Sequence, residues 1–144
     1  MNAKSLSGRE APIPASALEL LVRSDAELVA ASLAGEAADR FLHAHLAAVR
    51  AGAALLQVTG RPARRRAVRT VWDMVAVMAP ELARWAGFFA DNAAVRSAIE
   101  AGRTHVVDDQ RAELAVCAAE DFHAAVRDRI GLAPGDASRL RFAS

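Results

Sequence analysis

The stretch Glu36–Gly60, EAADRFLHAHLAAVRAGAALLQVTG, decides the fold class of this chain. Its large apolar side chains recur at the spacing of one face of an α-helix, at Phe41, Leu42, Val49 and Leu56. The chain contains 36 Ala among 144 residues, and alanine favours helix and lets helices approach closely. We therefore predict a long helix over residues 36–58, ended by Gly60.

The rest of the chain also has helical periodicity, and Gly and Pro separate the segments. The expected helix N-caps are Ser16 with Glu19 as a capping box, Thr70 with Asp73 at the third helical position, and Asp108 for the last helix. Because proline cannot continue a helix but suits its first turn, Pro80 predicts a kink between two short helices. No segment alternates apolar and polar residues with period two, so no sheet is expected. The predicted fold is an all-α antiparallel bundle of about five helices, the third kinked at Pro80, with helices over residues 16–33, 36–58, 71–78 with 80–90, 92–101 and 108–130.

Periodicity also predicts which side chains face the core. Four of the seven aromatic residues lie around Pro80 and are expected at its centre: Trp72, Trp85, Phe88 and Phe89. On the last helix His123 is expected on the outer face, and the expected inner stripe is Leu114, Ala118, Phe122, Ala125 and Val126.

A chain of 144 residues and 15.2 kDa is expected to form one domain. We place the bundle at residues 16–131, between a flexible N-terminal arm (1–15) and a C-terminal tail (132–144) rich in Pro and Gly. Hydrophobic residues at 53% argue against disorder, and a net charge of +1 excludes a uniformly basic nucleic-acid coat protein.

The single cysteine, Cys117, excludes an internal disulfide and a cysteine-rich zinc site, and we expect it to be a small buried filler. The four histidines do not fall at a metal-binding spacing, and glycine-rich phosphate loops are missing, so neither a metal nor a cofactor is expected. The segment 1–14 lacks the apolar core of a secretion signal, and no apolar run approaches the roughly 18 residues of a membrane span. These patterns predict a cytoplasmic protein without membrane contact.

Two polar residues interrupt the apolar faces of the first two helices. Asp25 lies in the middle of the first apolar face, and His45 lies in the stripe between Leu42 and Val49. Because a buried polar group must find a partner, we expect Asp25 and His45 to form a structural polar core, although Asp25 could instead rim that core. Arg40 and His43 fall on another face, which is either solvated or part of a polar groove or dimer seam.

An arginine-rich segment follows the long helix. It holds five arginines in nine residues, Arg61, Arg64, Arg65, Arg66 and Arg69. Two interpretations remain open: a solvated loop, or a sequence-independent phosphate contact for RNA or DNA. Aromatic residues that would stack on single-stranded bases do not interleave with these arginines.

The order of several local motifs resembles one family. Residues 44–50 (AHLAAVR) precede the arginine-rich segment, and residues 71–74 (VWDM) and 79–89 (APELARWAGFF) follow it. This series resembles a small single-domain bacterial branch of the HEPN proteins (higher eukaryotes and prokaryotes nucleotide-binding). The resemblance covers roughly residues 17–130 and implies a helical bundle that is often dimeric.

The resemblance also implies two classes of function. Many HEPN proteins are metal-independent ribonucleases, often toxins paired with a nucleotidyltransferase, whereas others serve as binding or assembly modules. The ribonucleases carry Arg, four to six residues, then His, usually near the start of the last long helix. Arg40 and His45 match that spacing on the second helix, whereas Arg111 and His123 on the last helix are twelve apart.

The sequence leaves two main functions open, besides a helical subunit with no role in nucleic-acid binding. We favour a non-catalytic module, either monomeric or a homodimer, that binds a partner protein, RNA, DNA or the phosphate of a nucleotide. The arginine-rich segment is the expected phosphate contact. The alternative is a metal-independent ribonuclease that uses Arg40 and His45 across a homodimer, where the histidine moves a proton and the arginine neutralises phosphate charge.

Overall fold

A computed structural model describes residues 12–63 and 70–132. Within those residues the chain forms six α-helices, two short 3₁₀ turns and no strand, which confirms the predicted all-α bundle. The α-helices are α1 (Ala15–Leu33), α2 (Ala37–Thr59), α3 (Val71–Met78), α4 (Ala83–Asp91), α5 (Ala93–Glu100) and α6 (Asp109–Arg129). The 3₁₀ turns are Pro80–Leu82 and Thr104–Val106. Most of the predicted arm, nearly all of the tail, and residues 64–69 lie outside the described residues.

Helix α2 is the centre of the bundle and packs against α1, α3, α5 and α6. Seven of its eleven buried residues are alanine or glycine: Ala38, Ala44, Ala47, Ala48, Ala51, Gly52 and Ala54. Small side chains let neighbouring backbones approach closely while the interface stays densely packed. The closest approach is at Gly52, where a Cβ would lie 3.3 Å from Cγ2 of Val71.

Two helix starts confirm the predicted caps. The Thr70 hydroxyl accepts a hydrogen bond from the backbone N–H of Asp73 (3.1 Å), and the Asp73 carboxylate accepts one from the Thr70 N–H (3.4 Å). The Asp108 carboxylate caps α6 through the N–H of Arg111. Pro80 opens the 3₁₀ turn between α3 and α4, so the kink also lies where the sequence predicts it.

The predicted capping box of α1 is wrong. The helix starts one residue earlier, because the Pro14 carbonyl accepts hydrogen bonds from the N–H groups of Ala17 and Leu18. Ser16 therefore lies inside α1, and its hydroxyl donates to Oε1 of Gln57 on α2 (2.8 Å). This contact and the short link between the helices make α1 and α2 antiparallel neighbours.

Aromatic rings fill the space beside α2. Trp72 stacks on Phe89 with ring centroids 5.1 Å apart, and Phe122 of α6 lies 5.8 Å from Trp72. Trp85 and Phe88 pack on the edge of this cluster and are half-buried. The sequence correctly predicts the region around Pro80 as the aromatic part of the core.

The predicted inner face of α6 is partly wrong. Leu114 was expected in the core, yet it is 57% exposed. The face against the bundle consists instead of Ala112, Ala115, Ala119, Phe122, His123 and Val126. Alanines face the central helix because the gap there is narrow, and the larger Leu114 points outward.

Helix α2 also has the length and apolar composition of a membrane-crossing helix. In the qualifying window, 56% of the residues are buried inside the bundle. Core helices of soluble proteins pass the same test, so this property is weak evidence for a membrane span.

Substitutions at two glycines test whether close packing limits the size of the side chains that α2 can carry. We expect Gly52→Val to lower the free energy of unfolding by about 1–3 kcal/mol, because the new methyl groups would meet Val71, Val75 and Trp72. Gly87→Ala is the control: nothing lies within 4 Å of its Cβ position in α4, so alanine should raise stability by about 0.5–1 kcal/mol. Urea unfolding followed by circular dichroism measures both changes. A stabilising Gly52→Val would mean that α3 moves away freely.

Candidate functional site

His45 is buried in an aromatic cage at the centre of the bundle. Its side chain is 2% exposed, and its ring centroid lies 6.2 Å from Phe41, 6.2 Å from Trp72 and 5.7 Å from Phe89. Among residues 12–63 and 70–132, Nδ1 of this imidazole has no hydrogen-bond partner. An unsatisfied buried polar atom costs about 1–3 kcal/mol, so this position weakens the core that surrounds it.

The surroundings of His45 hold its imidazole in the neutral form. Its pKa is lowered from 6.5 to about 4, mainly by burial and also by the positive charge of Arg96, while the negative charge of Glu100 opposes the shift. Both charged residues belong to α5. Near neutral pH the ring is therefore an uncharged group inside the core.

The charge of Asp25 affects the pKa of His123, not that of His45. This negative charge raises the pKa of His123 on α6, while burial, the largest effect, and the charge of Arg127 lower that pKa, and the net shift is downward. The charged groups that act on His45 are those of α5 instead. The polar core therefore has two parts, His45 among the aromatics and His123 between α1 and α6.

His123 is buried inside the bundle and does not lie on the outer face that the periodicity of the last helix predicts. Its Nδ1 lies 2.8 Å from the buried Ser24 hydroxyl, and that hydroxyl donates to the Ala47 carbonyl at 2.8 Å. The Ser24 oxygen is then free to accept from the Nδ1–H of His123, so one bonded chain joins α1, α2 and α6. The available signal was Ser24 itself, a small polar residue three positions after Leu21 in the apolar stripe.

Arg40 joins the starts of α2 and α6. One terminal nitrogen of its guanidinium lies 2.7 Å from the Asp109 carboxylate, and the other donates to the Gly35 carbonyl at 3.0 Å. His45 is instead enclosed by the aromatic cage. Within one chain, Arg40 and His45 therefore have different partners and do not form a shared site.

A cluster of three charged or titratable side chains lies between α1 and α2. Nδ1 of His43 is 2.7 Å from Oε1 of Glu27, and a terminal nitrogen of Arg50 is 3.5 Å from Oε2 of the same carboxylate. We call these three residues the α1–α2 seam cluster. It corresponds to the polar face that the sequence predicts for His43.

Arg61 is the described member of the arginine-rich segment. It is exposed just after α2, and its guanidinium lies 3.6 Å from the sulfur of Met74. The other four arginines of the prediction, Arg64, Arg65, Arg66 and Arg69, lie outside the described residues.

The comparison with known proteins gives the family. The model of the HEPN_SAV_6107-like HEPN family matches residues 31–127, about two thirds of the chain. The chain belongs to this family. No curated protein and no solved structure matches it. The match covers the end of α1, all of α2 to α5 and nearly all of α6, so the HEPN domain includes both buried histidines.

Charge is distributed unevenly along the HEPN chain. Residues 40–72 contain seven arginines and no Asp or Glu. Because the whole chain carries +1, the residues outside this stretch together carry −6. The positive charge is therefore concentrated in α2 and in the segment that follows it.

Two further features bear on the reactions that the described HEPN fold can carry out: its potential metal ligands and its cysteine. Across residues 12–63 and 70–132, no group of three or more His, Cys, Asp or Glu side chains could hold a metal ion. Cys117 is exposed, so its predicted role as a buried filler is wrong. Desolvation of its sulfur and the negative charge of Glu113 raise the pKa of the thiol, which disfavours the nucleophilic thiolate.

The neutral state of His45 predicts acid sensitivity of the HEPN domain. The unfolded chain takes up a proton near pH 6.5, but folded His45 does so only near pH 4, so stability present above pH 6.5 is lost as the pH falls towards 4. His45→Leu should remove about 2–3 kcal/mol of the loss in unfolding free energy between pH 7.5 and 4.5. Urea unfolding at both pH values measures this difference.

Exposed His105 provides the control for this experiment. His105→Gln should show the same pH dependence as the wild type. If His45→Leu also retains the full wild-type loss, His45 is not the group that titrates.

Proposed function

We propose that this HEPN domain is a non-catalytic module that binds the phosphate groups of RNA or DNA through the arginines at positions 61, 64, 65, 66 and 69. The observation that carries this proposal is the concentration of charge, seven arginines without an acidic residue over positions 40–72. A local block of positive charge on an otherwise acidic chain is typical of a polyanion contact. The nearly neutral total charge explains why composition alone does not reveal it.

The chemistry of such a contact is electrostatic and independent of sequence. Each arginine that neutralises a phosphate releases condensed counterions, so affinity falls steeply as the salt concentration rises. A guanidinium also presents several N–H donors in a planar fork that suits phosphate oxygens. Binding therefore needs no cofactor and no preformed cavity.

The contacts of Arg40 and His45 favour binding over catalysis. A general base must come within hydrogen-bond reach of the proton that it removes, directly or through one water molecule. His45 is 2% exposed and enclosed by Phe41, Trp72 and Phe89, so a ribose hydroxyl has no approach to it in this fold. Arg40 is already held by Asp109 and Gly35.

The phosphate contact can be tested with a triple variant. Replacing Arg64, Arg65 and Arg66 together by Ala should weaken the binding of labelled oligonucleotides at least tenfold at 0.1 M salt. The slope of log affinity against log salt should also fall by about 2 for single strands, because about three phosphate contacts are lost. Fluorescence anisotropy measures both quantities.

The matched control is the triple Lys variant at the same positions, which keeps the charge and should keep the salt slope. Circular dichroism checks that all three proteins are folded. If the Ala variant binds with the wild-type affinity and slope, the segment is not the phosphate contact.

The ribonuclease alternative has a separate test. Because His45 is enclosed, we expect wild type and His45→Leu to leave labelled RNA equally intact in EDTA over the same incubation. Gel analysis of the 5′-labelled RNA measures the intact fraction. Cleavage by the wild type that disappears in His45→Leu, at unchanged melting temperature, would show that the module is a ribonuclease.

A further inference from the structure

The α1–α2 seam cluster presents two basic side chains around one partly covered carboxylate. The Glu27 side chain is 19% exposed, whereas those of His43 and Arg50 are 36% and 33% exposed. Both oxygens of Glu27 face these two neighbours, since Oε1 contacts His43 and Oε2 contacts Arg50. Glu27 is thus the least exposed of the three side chains, and His43 and Arg50 form most of the exposed surface of the cluster.

The contacts within the cluster leave hydrogen-bonding capacity for a ligand. Because a carboxylate only accepts hydrogen bonds, Nδ1 of His43 carries the proton shared with Glu27, and Nε2 is left for another partner. Arg50 meets Glu27 through one terminal nitrogen at 3.5 Å, so most of its five N–H donors remain for an anion. A phosphate oxygen can therefore accept from the remaining N–H donors of Arg50, beside the exposed edge of His43.

The register of the two helices adds a further cation at the same level. Side-chain contacts fix the register of this antiparallel seam: Ser16 lies opposite Gln57, and Glu27 lies opposite His43 and Arg50. The residue numbers in these pairs sum to about 70–77, so other residues of α1 and α2 with a similar sum also lie opposite each other. Arg23, which is exposed, therefore lies level with Arg50. The seam carries arginines from both helices.

We propose that the α1–α2 seam binds the sugar–phosphate backbone of the same nucleic acid, as a second contact centred on His43 and Arg50 with Arg23 beside them. This inference rests on the proposed function, which supplies the ligand. His43, Arg50 and Gln57 recur at seven-residue intervals and so lie along one side of α2. They span about 21 Å of helix axis, and Arg61 follows at the end of the helix.

This geometry predicts a dependence on oligonucleotide length. A short strand is held by the arginine-rich segment alone, whereas a longer strand also reaches the seam and binds more tightly. Arg50→Gln should therefore weaken the binding of 18-nucleotide strands about 5- to 10-fold and lower their salt slope by about 0.7, the value for one phosphate contact on a single strand. Binding of 6-nucleotide strands should not change.

The experiment uses fluorescein-labelled oligo(U) and oligo(dT) of both lengths and fluorescence anisotropy over a series of salt concentrations. Arg50→Lys keeps the charge and should bind 18-nucleotide strands within about twofold of the wild type. Arg103→Gln removes one charge from an exposed arginine outside the seam and should have no effect on either length. An Arg50 effect on oligo(U), oligo(dT) or both supports the seam contact and shows which backbone it accepts.

The possible outcomes separate this inference from the proposed function. If 18-nucleotide strands bind no more tightly than 6-nucleotide strands, or if Arg50→Gln and Arg103→Gln weaken them equally, the seam contact is overturned while the arginine-rich segment can still bind. If the wild type binds neither length, the proposed function fails and the seam contact fails with it.

Discussion

The close approach of helices around α2 is the constraint on which the rest of the fold depends. Seven of its eleven buried residues are alanine or glycine, and three of the six buried residues of α6 are alanine as well. Small residues bring the backbones together, but they bury little apolar area each. The larger rings of Trp72, Phe89 and Phe122 supply that area beside the helix, where the short helices α3 and α4 leave more room.

This packing also determines the state of the two buried histidines. His123 finds a partner because α1 and α6 both lie close to α2, which brings Ser24 and the Ala47 carbonyl within one bonded chain. His45 lies on the aromatic side, where its neighbours are rings. Burial lowers the pKa of both imidazoles, so these two buried side chains are uncharged near neutral pH.

The sequence predicted local features better than contacts between distant helices. Pro80 and the Thr70–Asp73 cap depend on neighbouring residues, and both lie as predicted. The inner face of α6 depends on which side meets α2, and periodicity alone selected Leu114 over His123. The pairs Arg40–Asp109 and Ser24–His123 join residues 69 and 99 positions apart, and nothing in a single sequence indicates them.

The alanine surface of α2 also restricts how this sequence can change over time. Where a position already holds alanine or glycine against a neighbouring backbone, nearly every substitution adds volume, and added volume has no space to occupy. Variation can therefore accumulate mainly on the solvent-facing sides of α1, α4, α5 and α6. Substitutions on the outer surface can create contacts with new partners, whereas the buried residues of α2 can change very little.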